Sequence, residues 1–240
     1  MLKVSRVENK YFVNQEDLYF LKELLKNIMI IDPNSVNFEP YKISSLYFDS
    51  EYDDDLAEKL DGVRYREKYR VRIYNDNEQF GKFEIKRKIE NTISKSSLVL
   101  NKKQINLSYN NDISFLLDND DTAYAYARMK YKNYSPKTII TYDRLAFTLP
   151  FDNIRLTLDL NMRTHDFTDK TGLRKASGRG IRIAPKGFDI LEVKYTGQLP
   201  NFISDCLSKF NLSKTAISKY SAGRLHSSID LFGDNPHYAS

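Results

Sequence analysis

Three times the sequence sets a glutamate two residues before a lysine inside an alternating polar and apolar stretch: Glu8/Lys10, Glu84/Lys86 and Glu192/Lys194. In a strand, residues i and i+2 share a face, so each pair sends one carboxylate and one ammonium the same way. A fourth stretch, RYREKYRVRIY from Arg64 to Tyr74, is basic at every second position: Arg64, Arg66, Lys68, Arg70 and Arg72. Between them stand Tyr65, Glu67, Tyr69, Val71 and Ile73, mostly residues that pack. Same-face neighbours lie about 6.6 Å apart, so two such charges repel by about 2.5 kcal/mol at an effective dielectric of about 20. A row like this needs acids, counterions or a polyanion beside it. Guanidinium forks and ammonium point charges suit phosphate oxygens, and a minority of carboxylates suits a hard cation such as Mg²⁺ or Mn²⁺.

Strands must present these residues, and the chain offers several. VSRVENKYFV from Val4 to Val13 puts Arg6, Glu8 and Lys10 on one face. Asn14 reads as an N-cap for a helix carrying Leu18, Leu21, Leu24, Leu25 and Ile28, which ends before Asp32-Pro33. YKISSLYFD (41–49) reads as a strand, and the acidic run after it opens a short helix to Leu60. The basic strand then turns at 75–77 and returns through 79–89, with Lys82, Glu84, Lys86 and Lys88 on one face. Residues 91–107 show no firm period. Helices are expected over 112–117 and 122–132, then strands over 138–149, 153–161 and 188–196, with loop and a short strand at 180–184 between the last two. Two final helices are expected over 201–210 and 214–225.

The chain has 240 residues, 41% hydrophobic and 13% aromatic, enough for a folded core. Its net charge of +5 is small against 37 basic and 32 acidic residues, so a general pull toward nucleic acid or membrane is weak and local charge placement matters more. Cys206 stands alone, which excludes an intramolecular disulfide and reads as a small buried hydrophobe. His165, His226 and His237 lack the spacing of a metal site. With no signal-like leader and no run of about 20 apolar residues, a cytoplasmic protein is expected. No linker divides the chain, so one domain over 1–225 with a tail at 226–240 is expected.

Periodicity alone fits two arrangements: an antiparallel sheet wet on one side and covered by helices on the other, or a sheet closed with its charged face inward. The polar faces hold almost no Ser, Gln or Asn, and the Glu-x-Lys pattern recurs on separate strands. Both features favour closure. The expected fold is therefore α+β: a closed antiparallel β-barrel tunnel with a charged lumen and peripheral helices.

One set of motifs runs in order over residues 4–222: R-x-E-x-K at Arg6 to Lys10, SLYFD (45–49), KYRVRIY (68–74), FEIKRK (83–88), YDRLAF (142–147), IRLTLD (154–159), LEVKY (191–195) and SKY (218–220). It resembles the VTC domain, the polyphosphate polymerase domain of the triphosphate tunnel metalloenzyme or CYTH-like superfamily. The resemblance implies a tunnel of about eight strands that moves the γ-phosphate of ATP onto a polyphosphate chain, with Mn²⁺ or Mg²⁺ as cofactor. It implies phosphate binding by Lys10, Arg70, Arg72, Lys86, Lys88, Lys95, Arg144, Arg155 and Lys194. It places the metal on Glu192, with Glu8 and Glu84 as further acids, and makes Glu192 and Lys219 catalytic. ATP and polyphosphate or inorganic triphosphate are the implied partners, and a membrane protein that receives the polymer is left open. The same cradle would serve a tripolyphosphate or nucleoside triphosphate hydrolase, or a non-catalytic polyphosphate binder. Nucleic acid is not expected, because the aromatics fall mainly on the faces opposite the cations instead of among them.

Overall fold

The computed structural model describes residues 6–90, 92–149, 153–167, 173 and 180–229. Strands β1 (Arg6–Asn14), β2 (Ile30–Ile31), β3 (Tyr41–Asp49), β4 (Tyr65–Tyr74), β5 (Asn77–Ile89), β6 (Thr92–Asn101), β7 (Ser135–Leu149), β8 (Ile154–Asp166), β9 (Ile181–Arg182), β10 (Phe188–Thr196) and β11 (Ser213–Thr215) alternate with six helices. These are α1 (Gln15–Ile28), α2 (Asp54–Leu60), α3 (Lys102–Tyr109), α4 (Asp120–Tyr131), α5 (Asn201–Leu207) and α6 (Lys219–Ile229). No helix among the described residues is long and apolar enough to cross a membrane.

Local chemistry explains the elements that flank the charged strands. Asn14 caps α1 by accepting from the Asp17 backbone N–H at 2.8 Å, and Glu16 and Asp17 complement the helix dipole. Asn75 and Asp76 both take positive φ, 51° and 54°, the geometry of a two-residue hairpin turn, and so fold β5 back onto β4.

The α+β, antiparallel character is as expected, but closure is not. The strands form one eleven-stranded sheet in the order β11-β1-β10-β8-β7-β3-β4-β5-β6, with β2 on β7 and β9 on β8. Among the described residues the end strands β6 and β11 do not pair with each other, so this is not an eight-stranded barrel. Alternation tells which face of a strand is polar; whether two end strands meet depends on pairing that side-chain period does not encode. Residues 92–101, without a firm period, form β6, where Ser94, Ser96 and Ser97 interrupt the apolar pattern. Residues 213–215 are strand where a helix from 214 was expected, and residues 163–166, expected as loop, extend β8. Helix α6 continues through Ile229, past the expected start of the tail; the rest of that tail, residues 168–172 and 174–179 of the expected loop, and Val4 and Ser5 lie outside the described residues. Cys206 on α5 is half-buried.

The chain gathers into two compact units. One takes the chain up to Lys42, then Tyr142–Met162 and Ala184–Ile217; the other takes Ile43–Thr141, Arg163–Ile183 and the chain from Ser218. In the first, Leu18, Leu21 and Leu25 of α1 join Val13, Leu156, Leu158, Leu191 and Val193 in one core. In the second, Phe48, Tyr69, Val71, Ile73, Phe83 and Ile85 pack with Ile105 of α3 and Ala125 and Met129 of α4. Each fully buried Val, Leu, Ile, Phe or Met among them contributes about 1.5–3 kcal/mol. Burial of one face holds each unit's register, and the register lines up the charges on the other.

Candidate functional site

In the first unit, β1 and β10 pair so that Glu8 stands opposite Lys194 and Lys10 opposite Glu192. Lys194 in turn stands opposite Arg155 on β8. The alternation Glu-x-Lys run antiparallel therefore sets each acid against a base. Lys194 Nζ lies 3.1 Å from Glu192 and 3.7 Å from Glu8, and Lys10 Nζ lies 3.2 Å from Glu8 while donating to the Ile217 carbonyl at 3.1 Å. Glu192 is buried, and Arg144 Nη2 approaches it at 3.6 Å. Arg144 makes a forked pair with Asp159, at 2.6 and 2.8 Å, and Asp159 is fully buried. Arg155 reaches Asp32 at 2.9 Å and the Tyr41 hydroxyl at 3.3 Å. Burial lowers the Lys194 ammonium below its ordinary range despite Glu192 and Glu8. For Arg144, burial acts the same way, but the Asp159 charge outweighs it and holds the guanidinium well above its usual value. Four cations here meet four carboxylates, Glu8, Asp32, Asp159 and Glu192, so the cluster is nearly compensated.

The second unit is different. On β4 to β6 the register makes transverse rows of Arg66 and Lys88; of Lys68, Lys86 and Lys95; of Arg70 and Glu84; and of Arg72 and Lys82. Glu84 is the one carboxylate in these rows. It accepts from Arg70 Nε at 2.6 Å, lies 3.5 Å from Arg72 Nε and pairs with Lys95. Burial would raise its carboxyl, but Arg70, Arg72 and Lys95 hold it far below the usual carboxylate range. Arg72 also donates to Ser45 at 3.2 Å, and Arg70 to the Tyr47 hydroxyl at 2.8 Å. Tyr47 stacks on Tyr220 of α6, ring centroids 5.3 Å apart. Although burial opposes it, the phenol of Tyr47 is lowered by Arg70, Arg72 and Lys219. Lys219, in the first turn of α6, is thus grouped with the two arginines.

The expected residues therefore fall into two groups. Lys10, Arg144, Arg155, Lys194, Glu8 and Glu192 share the first unit; Arg70, Arg72, Lys86, Lys88, Lys95, Glu84 and Lys219 share the second. Among the described residues no group of three or more His, Cys, Asp or Glu is arranged to hold a metal ion. His165, given no role, contacts Thr141 at 3.3 Å. Asp32, Asp159 and Tyr47 join these groups beyond the residues that the sequence singles out. Asp159 had a signal, since it shares a face with Arg155; Asp32 looked only like a helix end, and Tyr47 like a packing residue.

A search of curated proteins returns no match. The family model for the VTC domain matches residues 5–227. Among solved structures, a presumed adenylate cyclase from Bacillus halodurans superposes with a TM-score of 0.49 at 12% identity, covering 96% of this chain and 100% of that one. Another from Vibrio parahaemolyticus gives 0.48 at 12%, over 92% and 98%. A protein of Pyrococcus horikoshii gives 0.40 at 13%, over 85% and 86%.

Proposed function

The chain belongs to the VTC domain family, and on that premise we propose that it is a polyphosphate polymerase, moving the γ-phosphoryl group of ATP onto a polyphosphate chain with Mn²⁺ or Mg²⁺. The observation that carries this reading is the charge of the second unit's face: Arg66, Lys68, Arg70, Arg72, Lys82, Lys86, Lys88 and Lys95 against Glu84. That excess asks for an extended polyanion. Phosphoryl transfer needs positioning and charge neutralisation more than covalent help from the protein. The attacking oxygen of a phosphate acceptor is already anionic near neutral pH, so no general base is assigned.

The contacts support the following roles. Glu84 holds Arg70 and Arg72 in fixed orientation as forks for phosphate oxygens. Tyr47 accepts from Arg70 and so keeps its own hydrogen for a phosphate oxygen. Lys219 neutralises charge at the transferring phosphoryl group. The carboxylates fit a hard cation that arrives with its phosphates, because Mg²⁺ is typically held by one or two carboxylates plus substrate oxygens. Glu192 and Glu8, which share Lys194, are assigned to it. When bound, such a cation offsets charge on the phosphate oxygens.

Incubation of the protein with ATP and Mn²⁺ tests the reading, with products resolved on a gel and free phosphate measured in parallel. Long polyphosphate is expected. Free phosphate alone would replace the polymerase with a hydrolase of the same cradle. Glu192→Gln should abolish turnover and leave polyphosphate binding, while Arg70→Ala and Arg72→Ala should each weaken triphosphate binding about tenfold or more, the loss of one charge-assisted contact. Full turnover in the glutamine variant would remove Glu192 from its role.

A further inference from the structure

In the second unit one lysine, Lys68, is crowded by other cations. Lys68 on β4 stands directly opposite Lys86 on β5, and Lys86 directly opposite Lys95 on β6. Opposed positions on paired strands bring Cβ atoms to about 4.5–5.5 Å, where like charges destabilise the sheet. The Lys68 ammonium donates to Ser218 Oγ at 3.1 Å and sits 5.0 Å from the centre of the Tyr220 ring. Ser218 caps α6: its Oγ takes the Ser221 N–H at 3.4 Å and its carbonyl the Ala222 N–H at 2.8 Å. Lys68 is thereby tied to the turn that carries Lys219.

The charged groups facing Lys68 come from three elements: Arg66 on its own strand, Lys86 on β5, and Asp55 and Lys59 on α2; Ser218 and Tyr220 complete the surroundings from α6. Asp55 is the only acid in that set. It is buried, and burial together with the nearby Asp49 charge pushes its carboxyl up to about 8, so near neutral pH it is mostly uncharged. Lys68 thus faces three cations, with only Asp55, which carries a fraction of its charge near neutral pH, to offset them.

We infer that Lys68 is a further phosphate ligand of this face, one that takes up a proton as the polyanion binds. The inference rests on the reading of the face as a phosphate site. Before binding, burial lowers the Lys68 ammonium to about 7, opposed by Asp55 and helped by the Lys59, Lys86 and Arg66 charges. A phosphate beside it supplies the missing negative charge and raises it again. Above about pH 7 the free protein therefore carries a neutral amine, and binding draws one proton from solvent onto Nζ. Affinity then falls as pH rises from about 7 to the bound-state value. Lysine charge, and through Ser218 the seat of α6, becomes linked to occupancy.

Calorimetric titration of the full chain with sodium tripolyphosphate, at about pH 8 in two buffers of different ionisation enthalpy, reads the proton count directly. The wild type is expected to take up close to one proton more than Lys68→Arg, whose guanidinium never titrates. The arginine variant should bind, with affinity that varies less with pH. Equal proton uptake in both would overturn the inference and leave the phosphate site standing; no binding by the wild type would overturn both. The lysine side chains of the isotope-labelled wild type, followed by NMR through a pH titration with and without tripolyphosphate, provide a reading free of any folding defect in the variant. A Lys68 signal that titrates at the same pH in both would equally overturn it.

Discussion

Two buried aspartates respond in opposite ways to the same substitution. Asp159 is fully buried and paired through two bonds to Arg144. Asp159→Asn would leave a buried guanidinium short of its principal countercharge, a loss of about 3 kcal/mol. Asp55 is as deeply buried, but among the described residues only Oδ1 has a hydrogen-bond partner, the Tyr134 hydroxyl at 2.7 Å, and Oδ2 has none. Its folded-state value of about 8 lies above the unfolded 3.8. The unfolded chain releases this proton as pH rises through about 4, while the folded chain keeps it until about 8, so stability falls across that window and is flat above it. An asparagine in its place would not titrate and can still accept from Tyr134. Urea unfolding should show Asp55→Asn gaining on the wild type steadily from about pH 4 to 8, and Asp159→Asn losing at neutral pH. A loss from both substitutions at about pH 8 would mean that Asp55 is charged in the fold.

At the level of elements, β4 was legible because packing decides it: Tyr69, Val71 and Ile73 are fully buried on the face opposite the cations. Glu67 breaks that pattern. It lies buried on the apolar face, held by Arg87 at 2.6 Å and by the Tyr69 hydroxyl, and no local signal marks a charge that is solved by a partner twenty residues away. Strand β6 was hidden by its serines. Helix α6 starts later than the expected 214 because the capping bonds of Ser218 set its boundary. That helix offers its own test. A Cβ on Gly223 would lie 2.9 Å from both Thr164 Oγ1 and Ile140 Cδ1, and Thr164 is held in place by Thr138 at 2.9 Å. Alanine in a helix gains about 1 kcal/mol over glycine, whereas forcing apart a packed contact costs about 1–3 kcal/mol. Gly223→Ala should therefore lower Tm and, by displacing Lys219, reduce turnover; a raised Tm would show that Thr164 gives way.

Over the whole molecule, net charge conceals more than it reveals. A value of +5 suggested little, and the Glu-x-Lys recurrence suggested one uniform lining. The rows made by strand pairing are not uniform: the first unit matches its cations with Asp32 and Asp159 as well as Glu8 and Glu192, while the second sets eight cations against Glu84. The motifs lie on the charged strands; the neutralising acids came from the residue after β2 and from a register that alternation cannot specify. The two units should therefore differ in how they hold a polyanion. Counterion release makes log affinity fall linearly with log salt, by about 0.7 for each phosphate neutralised on a flexible strand. Replacing Arg66 and Lys88 with glutamine should lower that slope for long-chain polyphosphate by about 1.4. Replacing Lys10 and Arg155 with glutamine should lower it by much less, since Glu8 and Asp32 already neutralise both at 3.2 and 2.9 Å. Affinities measured over a tenfold range of salt would separate the two double variants, and equal slopes would mean that the acids of the first unit release their cations to the chain.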